Sequence, residues 1–364
     1  MASISSEPRY NFAAGPSMLP ADVLEQIREE LPDWQGSGMS LLEQPFTAAP
    51  FKGLMQQAED DLRHLLGLPN NYHVLFMQGG ASAQFGLLPL NLLEPGQSAD
   101  YLESGHWARK AVIEGSRHAP VRVIASGAAD GFRHLPPASE WQLDPHAGYC
   151  HLTSNETGNG LQLRDFPELS VPLVADMTSD LLTRPLPVER FGLIYASTQK
   201  NLGVAGLCLV IVREDLLHAP RAGLPNVFSY ALQAEQHSRI NTPPTFALYC
   251  AALMLHWIIR QGGLAAMDAA SWQRSQRLYD FIDASSLYQC PVNPPDRSRI
   301  NLCFQLREPQ LLPVLLDAAE QAGLHHLNGH AAVGGVRASL YNAMPMAGVE
   351  RLVQFMDEFE AQHG

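Results

Sequence analysis

Short apolar runs rich in branched and aromatic residues recur along the chain as far as about residue 212. Segments in which apolar residues recur at helical spacing separate most of them, for example over 84–93 and 107–115. This alternation predicts strand–helix units, a mostly parallel sheet covered on both faces, and therefore an α/β fold. The predicted strands cover residues 74–76, 121–124, 149–152, 173–175, 193–196 and 207–212.

The pattern changes after Thr245, where long helices lead into a second set of strands and helices. These predicted elements cover residues 246–260, 264–284, 299–304, 310–322, 335–339 and 346–363. We interpret the change as the start of a smaller C-terminal α/β domain. The expected organisation is an N-terminal arm over 1–15, a large domain over 16–260 and a small domain over 261–364.

Composition narrows the class of protein. A net charge of -13 argues against nucleic acid or an anionic membrane as the main partner, because no basic excess exists to neutralise phosphates. Five cysteines without CxxC spacing indicate reduced thiols. The N-terminus lacks an apolar leader, and the longest apolar stretch, 246–259, is too short to span a bilayer. We therefore expect a cytoplasmic protein.

Two charged residues follow predicted strands and are candidates for cofactor chemistry. Lys200 comes after the strand over 193–196 and before a turn containing Gly203, and Asp176 ends the run 173–176. Pyridoxal phosphate (PLP) needs an amine that forms a Schiff base with its aldehyde and an acid that keeps its pyridine nitrogen protonated. A surface lysine and a helix-capping aspartate would give the same pattern, so spacing alone leaves both interpretations open.

Separated motifs in a characteristic order make the cofactor interpretation stronger. From Asn11 to Pro345 the chain resembles the phosphoserine aminotransferases. The motifs that carry the resemblance are Gln78-Gly79-Gly80-Ala81-Ser82, Gly105-His106-Trp107-Ala108, Asn155-Glu156-Thr157, Ala175-Asp176, Gln199-Lys200-Asn201, Asn241-Thr242-Pro243-Pro244-Thr245-Phe246 and Gly334-Gly335-Val336-Arg337-Ala338-Ser339.

The resemblance implies a type I PLP-dependent transferase fold, an aminotransferase activity and PLP as the cofactor. Lys200 would bind the cofactor covalently and move protons, and Asp176 would hold the pyridine nitrogen. The resemblance places the cofactor phosphate on Ala81, Ser82 and Gln199. The first two also open a predicted helix, whose N-terminus favours an anion.

Further contacts follow from the same resemblance. Trp107 would stack on the pyridine ring, and Thr157 would donate to the phenolic oxygen of the cofactor. Asn241 and Thr242 would reach the cofactor phosphate of a second subunit, which implies a homodimer with shared active sites. The substrate residues implied are Arg337, whose fork-shaped guanidinium fits the α-carboxylate, and His330, which would lie near the distal end of the substrate.

The resemblance breaks at the residues for the side-chain end of the substrate. The family has a Ser-His-Arg triplet where this chain has Pro45-Phe46-Thr47, and a Gly-His-Arg triplet where this chain has Gly329-His330-Ala331. Phe46 and Thr47 thus replace the cations that grip a phosphate or a distal carboxylate. A buried phosphate dianion without cationic partners would cost many kcal/mol.

Three hypotheses follow. We first expect an aminotransferase for an α-amino acid and 2-oxo acid with a neutral, non-phosphorylated side chain. The alternative is a genuine aminotransferase for 3-phosphoserine and 2-oxoglutarate in which Arg239, Arg109 or Lys52 replaces the missing cations. The third is a non-catalytic binding protein with this fold, although retention of Lys200 argues against it.

A metal site is not expected. His326 and His330 have the i, i+4 spacing of some metal ligands, but Gly329 interrupts any helix there and no cluster of cysteine or acidic ligands accompanies them.

Overall fold

The structure is a computed structural model that describes residues 9–219, 221 and 223–363. Residues 1–8 of the predicted N-terminal arm lie outside the described residues. The strands are β1 (Tyr10–Asn11), β2 (Tyr72–Gln78), β3 (Ala99–Glu103), β4 (Val121–Ser126), β5 (Cys150–Thr153), β6 (Asn155–Glu156), β7 (Leu161–Gln162), β8 (Leu173–Asp176), β9 (Phe191–Ser197), β10 (Leu207–Arg213), β11 (Tyr288–Gln289), β12 (Asn301–Leu306), β13 (Leu324–His325) and β14 (Val336–Ser339). The α-helices are α1 (Ala21–Glu30), α2 (Ala49–Leu66), α3 (Ala81–Leu92), α4 (His106–Gly115), α5 (Tyr230–Glu235), α6 (Thr245–Arg260), α7 (Gly263–Ala284), α8 (Leu312–Gln321) and α9 (Met346–His363).

A seven-stranded sheet in the order β2-β10-β9-β8-β5-β3-β4 forms the centre of the protein. Strand β10 is antiparallel to both of its neighbours, and the other neighbouring pairs are parallel. The prediction of an α/β fold with a mostly parallel sheet is therefore confirmed. In such a sheet the carboxyl ends of the parallel strands meet at one edge, where ligands bind.

Side chains of the central strands alternate between two apolar layers. In β2, Val74 and Phe76 belong to one hydrophobic cluster, which also contains Leu248 of α6. Leu75 and Met77 face the opposite cluster, which contains Phe85 of α3. Because both faces of the sheet are covered, its strands are continuous apolar runs in the sequence and do not alternate between apolar and polar residues.

The C-terminal part of the chain builds a third apolar cluster. The three-stranded antiparallel sheet β11-β12-β14 packs with α7, α8 and α9 around residues such as Leu302 and Leu352. Phe12, next to β1, belongs to this cluster, and β1 pairs in parallel with β13. Helix α7 contributes Leu264 to the large cluster and Leu278 to the C-terminal one. The domain limits given above stay a prediction.

Several elements differ from the sequence prediction. Strand β3 and helices α1 and α2 were not predicted; Asp100, which is fully buried, lies within β3 and interrupts its apolar run. Its carboxylate accepts a hydrogen bond from the Asp144 N–H at 2.7 Å and lies 3.4 Å from Arg122. Helix α3 begins at Ala81, three residues before the helical apolar spacing over 84–93, because Gly80 is extended and ends the preceding turn. Among the described residues, no helix has both the length and the apolar character needed to cross a bilayer.

Candidate active site

A cavity of 160 Å³ opens at the carboxyl edge of the central sheet. The residues that line it lie at or shortly after the carboxyl ends of β2, β5, β8 and β9, or at the start of α3 and α4. They are Gly80, Ala81, Ser82, Trp107, Thr153, Asn155, Thr157, Asp176, Thr178, Ser179, Ser197, Gln199 and Lys200. The structure thus brings together seven of the residues predicted from the sequence: Ala81, Ser82, Trp107, Thr157, Asp176, Gln199 and Lys200.

Lys200 lies on the floor of this cavity with 9% of its surface exposed. Its Nζ donates a hydrogen bond to Oγ1 of Thr157 at 2.7 Å. Burial lowers the pKa of Lys200 to about 8, although the carboxylate of Asp176 acts in the opposite direction. The lowered pKa makes a neutral, nucleophilic amine available near neutral pH, which an exposed lysine does not offer.

Asp176 ends strand β8 and is 5% exposed. Its Oδ1 accepts a hydrogen bond from the Thr178 N–H at 2.9 Å. Burial raises the pKa of Asp176, while the hydrogen bonds from Thr178 and the charge of Lys200 counteract that rise. A buried carboxylate held in this way is suited to keep a ring nitrogen protonated.

Helix α4 places Trp107 against the cavity, and Glu156 fixes the start of that helix. The carboxylate of Glu156 is 1% exposed and accepts hydrogen bonds from the N–H groups of Trp107 at 2.9 Å and Ala108 at 2.8 Å. Burial raises the pKa of Glu156 to about 7, and these backbone donors oppose the rise. The sequence prediction gave Glu156 no role, although its place directly before Thr157 could have drawn attention to it.

Arg337 and His330 lie beside the cavity. Nε of Arg337, on β14, is buried and has no hydrogen-bond partner among the described residues, and the charge of this guanidinium lowers the pKa of Lys200. The His330 ring centre lies 6.2 Å from that of Trp107. A guanidinium with an unpaired buried nitrogen next to the amine is suited to bind a carboxylate.

Comparisons with known proteins agree with this geometry. The aminotransferase class-V family matches residues 9–352. The chain is 48% identical over 363 residues to the phosphoserine aminotransferase of Nitrosomonas europaea, covering 97% of this chain and 99% of that protein. It is 49% identical over 356 residues to the phosphoserine aminotransferase of Laribacter hongkongensis, covering 98% and 99%.

Solved structures give the same result. The phosphoserine aminotransferase from Bacillus circulans subsp. alkalophilus superposes with a TM-score of 0.97 at 43% identity, covering 99% of this chain and 100% of that one. A PLP-bound phosphoserine aminotransferase from Trichomonas vaginalis superposes with a TM-score of 0.93 at 36% identity, covering 96% and 100%. This chain belongs to the class V aminotransferases, in the phosphoserine aminotransferase family. It is a PLP-dependent transaminase, and its α/β fold is the type I fold of these enzymes.

The cavity of this aminotransferase fits PLP. The turn Gly79-Gly80 leads into α3, so the N–H groups at the start of that helix can bind a phosphate. A Cβ atom at Gly80 would lie only 3.2 Å from Oγ of Ser197, which shows how closely the backbone passes this wall. Ser197 in turn donates a hydrogen bond to Gln199. The individual cofactor contacts stay predictions.

Besides Arg337 and His330, four predicted site residues do not line this cavity of their own chain. Phe46 packs against the large hydrophobic cluster, and Thr47 is exposed before α2. Asn241 is partly exposed and Thr242 is exposed, and the Thr242 carbonyl accepts a hydrogen bond from the Gln78 side chain at 2.6 Å. The expectation that they act across a two-fold interface stays a prediction.

The cations considered as replacements lie elsewhere as well. Lys52 and Arg239 share a separate cavity of 320 Å³ with Arg63. Nε of Arg109 lies 2.6 Å from the carboxylate of Glu103. Within one chain, none of these three cations borders the described cofactor cavity. The described residues contain no group of three or more histidine, cysteine or acidic side chains that could hold a metal ion.

Proposed function

We propose that this aminotransferase exchanges an amino group between 3-phosphoserine and 2-oxoglutarate. The observation that supports this most is its similarity, at 45–49% identity over almost the whole chain, to bacterial proteins named phosphoserine aminotransferase. The comparisons favour this alternative over the neutral-substrate interpretation that we preferred from the sequence. They also favour an enzyme over a non-catalytic binding protein.

The α-carboxylate of the substrate binds Arg337 in this proposal. The Nε of Arg337 is buried and has no hydrogen-bond partner among the described residues, and the α-carboxylate provides one. A charge-assisted hydrogen bond of this kind contributes about 1.5–3 kcal/mol to binding. This contact fixes the α-carbon between Arg337 and Lys200. Trp107 closes the opposite side of the cavity and excludes water from it.

Lys200 moves the proton. PLP, when bound, supplies an electron sink for the pair of electrons left at the α-carbon. The amine of Lys200 is placed to take the α-proton and to give it up again, and its pKa of about 8 suits both steps near neutral pH. Asp176 would hold the proton on the ring nitrogen of bound PLP, and the Thr157 hydroxyl orients the Lys200 amine.

A second candidate is transamination of an amino acid with a neutral side chain. The observation that favours it is the presence of Phe46, Thr47 and Ala331 where the family has one imidazole and two guanidinium groups. An apolar pocket would distinguish substrates by shape, at about 1–3 kcal/mol per methylene.

A half-reaction screen separates the two candidates. The purified holoenzyme is mixed with single amino acids, and the change in absorbance of the bound cofactor is followed in a stopped-flow instrument. The proposal expects O-phospho-L-serine and L-glutamate to react fastest. Faster reaction with L-alanine, L-valine or L-leucine would reject it in favour of the neutral-substrate candidate.

A further inference from the structure

Three cationic or ionisable side chains lie close to the Trp107 ring. The ring centres of His106 and His330 lie 5.4 Å and 6.2 Å from that of Trp107, and 4.2 Å from each other. Nζ of Lys110 lies 4.8 Å from the Trp107 ring centre. His106 and Lys110 come from helix α4 and His330 from the loop before β14, so the fold assembles this group from two distant segments. We call His106, Lys110 and His330 the rim cluster.

The rim cluster combines like charges without an internal partner. Burial lowers the pKa of both histidines, and Lys110 lowers it further. His106 is affected first by burial and then by His330, Lys110 and Arg109, and His330 first by burial and then by Arg337 and Lys110. Every charged group that contributes to these shifts is therefore a cation. A bound anion would reverse this repulsion.

The two imidazoles also present hydrogen-bond donors. The Ala332 N–H donates to Nδ1 of His330 at 3.1 Å, so the neutral ring carries its proton on Nε2. Nε2 of His106 is buried and has no hydrogen-bond partner among the described residues. Contact of Lys110 with the Trp107 face is a weak interaction at an exposed site, and it leaves this buried nitrogen unexplained.

We propose that the rim cluster binds the anionic distal group of the substrate, a phosphate or a carboxylate. The cluster adjoins Trp107, which lines the cofactor cavity, and Arg337 is near enough for its charge to act on His330. A substrate whose α-carboxylate is held by Arg337 can therefore direct its side chain toward Lys110 and the two histidines. This inference rests on the proposed function. The rim cluster would supply the positive charge that Phe46, Thr47 and Ala331 do not provide.

The test compares Lys110→Gln and His106→Gln with Arg117→Gln as the matched control. Arg117 follows α4, is 67% exposed and pairs with Glu114, so this control removes one cation outside the cluster. Loss of one charge-assisted hydrogen bond should lower kcat/KM for O-phospho-L-serine about tenfold or more, through KM. Turnover of L-alanine should change by less than about twofold, and Arg117→Gln should leave both substrates unaffected.

Inorganic phosphate is the second probe, because it tests anion binding without itself being a substrate. It should inhibit L-alanine transamination competitively in the unmodified enzyme, and Lys110→Gln should weaken this inhibition about tenfold. Equal losses for phosphoserine and alanine, or unchanged phosphate inhibition, would overturn the inference. If the unmodified enzyme does not turn over phosphoserine, the proposed function fails, and the phosphate inhibition alone then decides whether the rim cluster binds anions.

Discussion

The close approach of Gly105 to Glu156 gives a sharp test of how Trp107 is positioned. A Cβ atom at Gly105 would lie 2.5 Å from Cδ and 2.6 Å from Cγ of Glu156. The φ angle of Gly105 is 174°, which alanine adopts without strain, so the cost of Gly105→Ala is steric. Either the carboxylate or the first turn of α4 must move.

Two contributions determine how far Gly105→Ala lowers the free energy of unfolding. Overpacking at a buried site costs about 1–3 kcal/mol. Displacement of Glu156 weakens its hydrogen bonds to the N–H groups of Trp107 and Ala108, each worth about 1.5–3 kcal/mol. We expect Gly105→Ala to lower the free energy of unfolding by about 2–5 kcal/mol. A shift of the Trp107 ring that removes about 1.4 kcal/mol of stacking would weaken PLP binding about tenfold.

Urea unfolding of the apoprotein measures the first quantity, and quenching of tryptophan fluorescence during PLP titration measures the second. Gly53→Ala is the matched control, because Gly53 lies inside α2 and a Cβ atom there would meet nothing within 4 Å. That change should stabilise the protein by about 0.5–1 kcal/mol. A Gly105→Ala protein with unfolding free energy and PLP affinity equal to those of the unmodified protein would refute the reasoning.

Three further predictions concern Lys200 and the dimer. Lys200→Ala should abolish covalent PLP attachment, and peptide mapping after borohydride reduction should find the pyridoxyl group on Lys200 in the unmodified protein; an adduct on another lysine would show the assignment to be wrong. Burial lowers the pKa of Lys200 to about 8, and only the neutral amine reacts with PLP. The rate of PLP capture by the apoprotein should therefore rise with pH through about 8 and then level off. A rise that continues to about pH 10, as for an ordinary lysine, would contradict this. Mixing Lys200→Ala with an Asn241→Ala, Thr242→Ala double variant should restore about a quarter of the wild-type activity if the subunits exchange at random, and activity that stays at the level of the separate variants would argue against a shared site.

Local patterns along the sequence predicted most strands of the central sheet and placed Lys200 and Asp176 after two of them, while their cofactor roles came from the family resemblance. The apolar runs that end at these residues are central strands β8 and β9, which pair in parallel, so their carboxyl ends must meet. Strand β3 was missed because a buried aspartate, Asp100, interrupts its apolar run. A local pattern carries no sign that Asp144 and Arg122 compensate that charge.

The surroundings of Trp107 could not be predicted in the same way. Glu156 lies 49 residues from Trp107 in sequence, and its role depends on two backbone N–H groups that only the folded α4 presents. His330 approaches His106 from a different domain of the predicted organisation. No periodicity or residue spacing in the sequence indicates either contact, because both arise from packing between distant segments.

The most direct test of the proposed activity is the steady-state rate with O-phospho-L-serine and 2-oxoglutarate. Glutamate formation by the unmodified holoenzyme is measured over a range of phosphoserine concentrations, with L-alanine in parallel. The account predicts kcat/KM for phosphoserine of at least about 10⁴ M⁻¹s⁻¹ and well above the value for alanine. A value for phosphoserine at or below that for alanine would contradict it.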